Sequence, residues 1–297
     1  MLERVIEQRR RDLGGFEVGR VLPSGARRMV GPFIFFDHLG PVDFPQGVSR
    51  SVDVRPHPHI GLATVTYLFD GEIMHRDSLG SEQPIRPAEV NWMTAGLGIT
   101  HSERFEKARA EGGRIHAIQS WVALPIEHEE GEPTFVHYGR ESLPDLDARG
   151  CRARLLAGAA YGRRADVATL SPLFYLHCEL AAGGEIELPA EYPERAAYVV
   201  EGETEYAGER FAPGRMLVFR PRGSVVLRTE RGARVMLLGG EPVGERFIEW
   251  NFVASSKDRI ERAKADWRAG RMALPPADPK ERIPLPDERG ETPNPMS

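Results

Sequence analysis

Apolar residues recur along the chain in short runs broken by turn residues. FEVGRVLP (16–23), FIFFDHLG (33–40), ATVTYLFDGE (63–72), VNWMTAG (90–96) and IHAIQSWVALP (115–125) are clear in the first half. RARLLAG (152–158), LFYLHCEL (173–180), AAYVVEGE (196–203), MLVFRP (216–221), SVVLRT (224–229) and RVMLLGGE (234–241) follow in the second. Most are rich in Val, Ile, Leu, Tyr and Phe, with Gly, Pro or Asp at or near their ends. That spacing predicts an all-β protein of barrel or sandwich type. A charged stretch, Glu127 to Gly150, breaks the pattern and carries Pro133 and Pro144. The expected domains are therefore 1–140 and 141–297. TVTYLFDGE (64–72) resembles AAYVVEGET (196–204), and this weak repeat is consistent with two copies of one β-domain.

Helical periodicity occurs near the C-terminus. Ser255 or Ser256 can cap the helix, and Asp258 and Glu261 favour its first turns. Ile260, Ala263 and Trp267 fall on one face, and Gly270 supplies the stop. Pro275 to Pro295 is a Pro-rich tail, either an extended packed arm or loose chain.

Length and composition agree with the pattern. At roughly 150 residues per domain, 297 residues suggest two domains. The 31 glycines and 24 prolines suit a turn-dense fold. A net charge of −5 argues against binding to nucleic acid or an anionic membrane. The longest stretch free of Asp, Glu, Lys and Arg, Pro56 to Phe69, is too short to span a membrane. MLERVIEQRRRDLGG has no apolar core of a targeting signal, and its arginine run is expected to be a solvated face. With only Cys151 and Cys178, the chain has no disulfide framework, and a cytoplasmic location is expected. The preference for Arg over Lys hints at a bacterial genome.

The chemistry concentrates in the first half, because none of the nine histidines follows His177. His57-Pro58-His59 puts two imidazoles on one face of a strand, and His101-Ser102-Glu103 does the same for an imidazole and a carboxylate. If the two strands face one another, four ligands converge. Three neutral nitrogens and one carboxylate suit a divalent first-row metal and leave it a net charge near +1. Taken alone, an H-x-H is more often a satisfied polar pair. His38 and His75 either sit beside the site or pack near turns. His116 and His177 read as strand residues, His128 and His137 as surface, Trp92 and Met93 as barrel core, and Cys178 as buried and inert.

These residues also carry a family resemblance. GPFIFFDHLGP (31–41), HPHIGLATVTYLFDGEIMHRDSLG (57–80) and NWMTAGLGITHSE (91–103) resemble the signature segments of pirins, within the cupin superfamily. WNFVASSKDRIERAKADWRAGR (250–271) is similar to the pirin C-terminal helix and IPLP (283–286) to its tail. The resemblance implies two stacked cupin (jelly-roll) β-barrels and one metal in the first, held by His57, His59, His101 and Glu103. It implies iron as Fe(II), with Zn, Ni, Cu or Mn able to occupy the site in isolated protein. It also implies quercetin 2,3-dioxygenase activity on a flavonol or related enol with O2, Glu103 accepting the substrate proton. The alternative it carries is a redox-sensing interaction protein that binds a regulatory protein partner without turnover, nuclear as well as cytoplasmic if eukaryotic. A different cupin reaction, isomerase or hydrolase, is a third reading. Many cupins have a glutamate four or five residues after H-x-H, where this chain has Ala63 and Thr64, so Glu103 is the expected carboxylate. The second half has no histidine in its counterpart region and is expected to be metal-free.

Overall fold

The computed structural model describes residues 1–12 and 15–286. The chain is built from antiparallel strands, as the alternating pattern requires, and divides into two compact units. One comprises Met1–Arg10, Gly19–His38 and Tyr138–Val243; the other comprises Arg11–Val18, Leu39–His137 and the chain from Gly244 onward. The expected 1–140 and 141–297 division therefore differs from the observed one at both ends. The crossover at 137/138 falls inside the expected linker. The Leu2–Glu7 strand, however, pairs with Arg215–Phe219, in the later unit, and the C-terminal helix joins the earlier one. Strand pairing is non-local, and a strand's own pattern does not name its partner. The linker stretch itself contains the strands Thr134–Tyr138 and Asp145–Ala148.

The unit rich in the C-terminal half has one large sheet, in the order Leu2–Glu7, Arg215–Phe219, Glu194–Gly202, Ala233–Gly240, Leu173–Leu180, Cys151–Ala160 and Asp145–Ala148. A second sheet combines Glu185–Glu187, Val226–Arg228, Thr204–Tyr206 and Glu209–Phe211. His38 lies in this unit, with Nδ1 2.9 Å from the Tyr198 hydroxyl. His177 sits 3.1 Å from Glu179. Cys151 and Cys178 are free and buried.

The histidine-rich unit has a four-stranded sheet in the order Val54–His59, Ile99–Arg104, Ile73–Asp77 and Glu82–Ile85. A second sheet runs Thr134–Tyr138, Val90–Thr94, Leu62–Asp70 and Gly113–Ala123, followed by Phe33–Phe44, which enters this unit at Leu39. Met93 is buried with Ala95 and Ile99, and Trp92 is buried too, both in line with a barrel core. A hairpin, Phe247–Glu249 with Phe252–Ala254, precedes the helix Lys257–Arg268.

The helix follows its sequence signals. Ser256 caps it by accepting the Arg259 N–H at 3.3 Å, and Ile260, Ala263 and Trp267 are its buried residues. Gly270 takes the left-handed conformation (φ 69°) that ends it. The buried face packs with Val54, Ile60, Trp250, Phe252, Ile283 and Leu285. A buried Trp contributes roughly 150–250 Å² of apolar contact. Trp267 spends its one polar atom on the Ile283 carbonyl, 2.9 Å away. The described part of the tail is thus a packed arm, with the Ile283 N–H bonded to the Pro56 carbonyl; its continuation from 287 to 295 lies outside the described residues. Among the described residues, no helix is long and apolar enough to cross a membrane.

Candidate metal centre

Two paired strands carry the site. His101 on Ile99–Arg104 lies directly opposite His57 on Val54–His59, and Ile99 lies opposite His59. Alternation sends His57, His59, His101 and Glu103 inward and turns Ser102 and Arg104 outward to Asp278. The ligand nitrogens of His57, His59 and His101 all lie within 4.8 Å of one another. The Nε2 atoms of His59 and His101 are 3.1 Å apart, and Nε2 of His57 is buried without a hydrogen-bond partner. Two nitrogens about 2.1 Å from one ion and at right angles would stand about 3.0 Å apart. An orphaned ring nitrogen beside two converging ones is thus a donor set that fits a divalent cation.

Ring orientation is enforced from behind. His57 Nδ1 lies 2.8 Å from the Arg55 carbonyl and His59 Nδ1 3.0 Å from the Asn251 carbonyl. A ring that donates from Nδ1 must present its Nε2 lone pair at the other end. Asn251 follows Trp250, which adopts φ 52°, so the tip of the 247–254 hairpin delivers that carbonyl. His101 Nδ1 faces His75 Nδ1 at 3.4 Å. Trp121 meets the His59 ring edge-on, with centroids 5.0 Å apart.

Burial sets the charge states. Desolvation pushes His57 down to about 4, against the lifting effect of the Arg55 carbonyl. His59 and His101 are also held well below the ordinary histidine value, first by desolvation and then by neighbouring imidazoles. The three rings are therefore neutral at pH 7, as ligands must be. Glu103 moves the other way: burial pushes its carboxyl up to about 7, opposed by the Thr66 hydroxyl.

The sequence-derived set is brought together unequally. The three histidines form one cluster, and Glu103 is not part of it. The pairing with Val54–His59 shifts register between His101 and Glu103, so Glu103 lies opposite Val54. Its Oε1 accepts a long bond from Thr66 Oγ1 at 3.5 Å, and that hydroxyl also bonds Gln119 at 2.7 Å. Of the two histidines left open, His75 lies beside the cluster and His38 in the other unit. His116 is buried, and His137 is half-buried with Nδ1 2.7 Å from Asn91. Sequence reasoning missed Asp77, whose signal was present: His75-Arg76-Asp77 repeats the i, i+2 spacing of the other two pairs. Burial raises the Asp77 carboxyl, but hydrogen bonds from His75 and Ser81 outweigh it and hold it below its ordinary value.

Comparison with known proteins places this geometry among relatives. Residues 15–122 match the family model described as Pirin, and residues 175–273 match the one described as Pirin C-terminal cupin domain. A pirin-like protein of Caulobacter vibrioides is 60% identical over 97% of this chain and 100% of its own length. A Pseudomonas aeruginosa protein provisionally named a quercetin 2,3-dioxygenase is 42% identical over 91% of this chain and 84% of its own. The crystal structure of a quercetin 2,3-dioxygenase from Acinetobacter baumannii superimposes with a TM-score of 0.87 at 33% identity, covering 95% of this chain and 94% of that one.

Proposed function

The chain belongs to the pirin family, with two cupin domains, and from that premise we propose that it is a metal-dependent dioxygenase opening the ring of quercetin or a related enol. The observation that carries this reading is the convergence of three neutral imidazoles, one with an orphaned Nε2, beside a carboxyl that titrates near neutrality. His57, His59 and His101 would hold the metal, with Glu103 as a fourth ligand or at its edge. The metal is proposed to be Fe(II), which supplies redox chemistry toward O2 and attracts an anionic oxygen.

The protein's own part is proton transfer and enclosure. Glu103, poised at about 7, takes the hydroxyl proton of the enol on its carboxylate. The Thr66 hydroxyl, held by Gln119, steadies that carboxylate. The buried histidine walls and Trp121 exclude bulk water. Similarity to the A. baumannii enzyme supports the choice of a flavonol as the test substrate.

Anaerobic reconstitution with Fe(II), followed by quercetin and O2, tests the reading. Oxygen uptake with release of carbon monoxide is expected. A protein that holds iron stoichiometrically and turns nothing over would overturn it and favour the redox-sensing interaction protein.

A further inference from the structure

The three histidines are oriented by partners of different kinds. His57 and His59 turn Nδ1 to backbone carbonyls. His101 turns Nδ1 to another imidazole, His75, whose Nε2 sits 2.9 Å from Oδ2 of Asp77. Asp77 is fully buried, and its Oδ1 accepts the backbone N–H groups of Leu79 at 2.9 Å and Ser81 at 3.1 Å. His75 is fixed in plane by Phe135, stacked at 4.2 Å and 8°. The neighbouring strand Glu82–Ile85 pairs with the strand that carries both residues, so the whole group rests on rigid sheet.

We propose that Asp77 and His75 act as a positioning relay that fixes the tautomer of His101 and aims its Nε2 lone pair at the metal position. With His75 neutral, the proton order follows. A carboxylate only accepts, so His75 carries its proton on Nε2. Its Nδ1 then has a lone pair and only accepts. His101 must therefore carry its proton on Nδ1, which leaves Nε2 free. The carbonyls behind His57 and His59 impose the same tautomer, but the relay also brings a full negative charge behind His101. Such a charge raises ligand basicity, so His101 is the strongest donor of the three. The inference rests on the proposed reading of the three histidines as metal ligands.

Co(II) titration against a competing chelator tests it, with wild type, D77N and H75F compared. In D77N the amide oxygen can keep the Leu79 and Ser81 N–H bonds while its NH2 faces His75. That reverses the relay and presses a proton toward His101. H75F keeps the stack on Phe135 and removes the acceptor. Each variant that folds cooperatively is expected to bind Co(II) about 10- to 100-fold more weakly. Imidazole 15N NMR of metal-free protein should show His101 protonated at Nδ1 in wild type and at Nε2 in D77N. Wild-type binding with equal affinity in both variants would overturn the relay alone. If D77N fails to fold, H75F and the wild-type tautomer decide, and wild-type His101 protonated at Nε2 would overturn the relay. A wild type that takes no Co(II) would overturn the relay and the metal reading together.

Discussion

Glu103 is a carboxyl group buried away from water, and the metal-free protein bears a cost for it. Its folded value of about 7, against 4.5 unfolded, means that the folded state binds its proton more tightly. Its contribution is fully present below pH 4.5 and is lost as pH rises through 7, a swing of about 3 kcal/mol. E103Q removes the carboxyl and keeps the shape. The metal-free variant is therefore expected to be about 3 kcal/mol more stable than wild type at pH 8 and equal to it at pH 4, as measured by urea unfolding. The histidines work in the opposite sense. His57 falls from 6.5 to about 4 on folding, so the unfolded chain takes up its proton first as pH drops. His59 and His101 shift in the same direction. Three groups outweigh one, so metal-free wild type should be less stable at pH 5 than at pH 7, and the decline should be steeper in E103Q.

At the scale of elements, local periodicity made the clustered histidines legible. A strand places i and i+2 on one face, so H-x-H and H-x-E were visible as pairs before their partners were known. The C-terminal helix was equally plain, because its cap, buried face and stop all lie within 15 residues of one another. The Asn251 carbonyl behind His59 was not, since a backbone atom 192 residues away has no signature. Gly61 joins these two scales. It turns the chain two residues after His59 at φ 65°, and a Cβ there would collide with the Val253 carbonyl of the hairpin. G61A is expected to cost about 1–3 kcal/mol of stability. By displacing the hairpin it should also weaken metal binding, which calorimetric titration with Ni(II) would detect. A G61A protein with wild-type Ni(II) affinity would separate the hairpin from the site.

At the scale of the molecule, two units with different probes can be followed separately. All four tryptophans, Trp92, Trp121, Trp250 and Trp267, lie in the histidine-rich unit, whereas both cysteines lie in the other. Ni(II) at 100 times its dissociation constant should add about 2.7 kcal/mol to the transition seen by tryptophan fluorescence. H101A should abolish that gain and leave Cys151 and Cys178 as protected from a thiol reagent as in wild type; rapid labelling in H101A would show that the second unit depends on the site. The unit count was readable from length and turns, but the exchange of terminal segments was not, because it lies in pairings such as Leu2 with Phe219. That exchange bears on the order of events during synthesis. His57, His59 and His101 leave the ribosome early, yet the carbonyl that orients His59 and the helix that covers its strand belong to the last fifth of the chain. Nascent protein therefore carries a full set of imidazoles long before it can aim them, and a metal held by them would be loaded only once translation is all but complete.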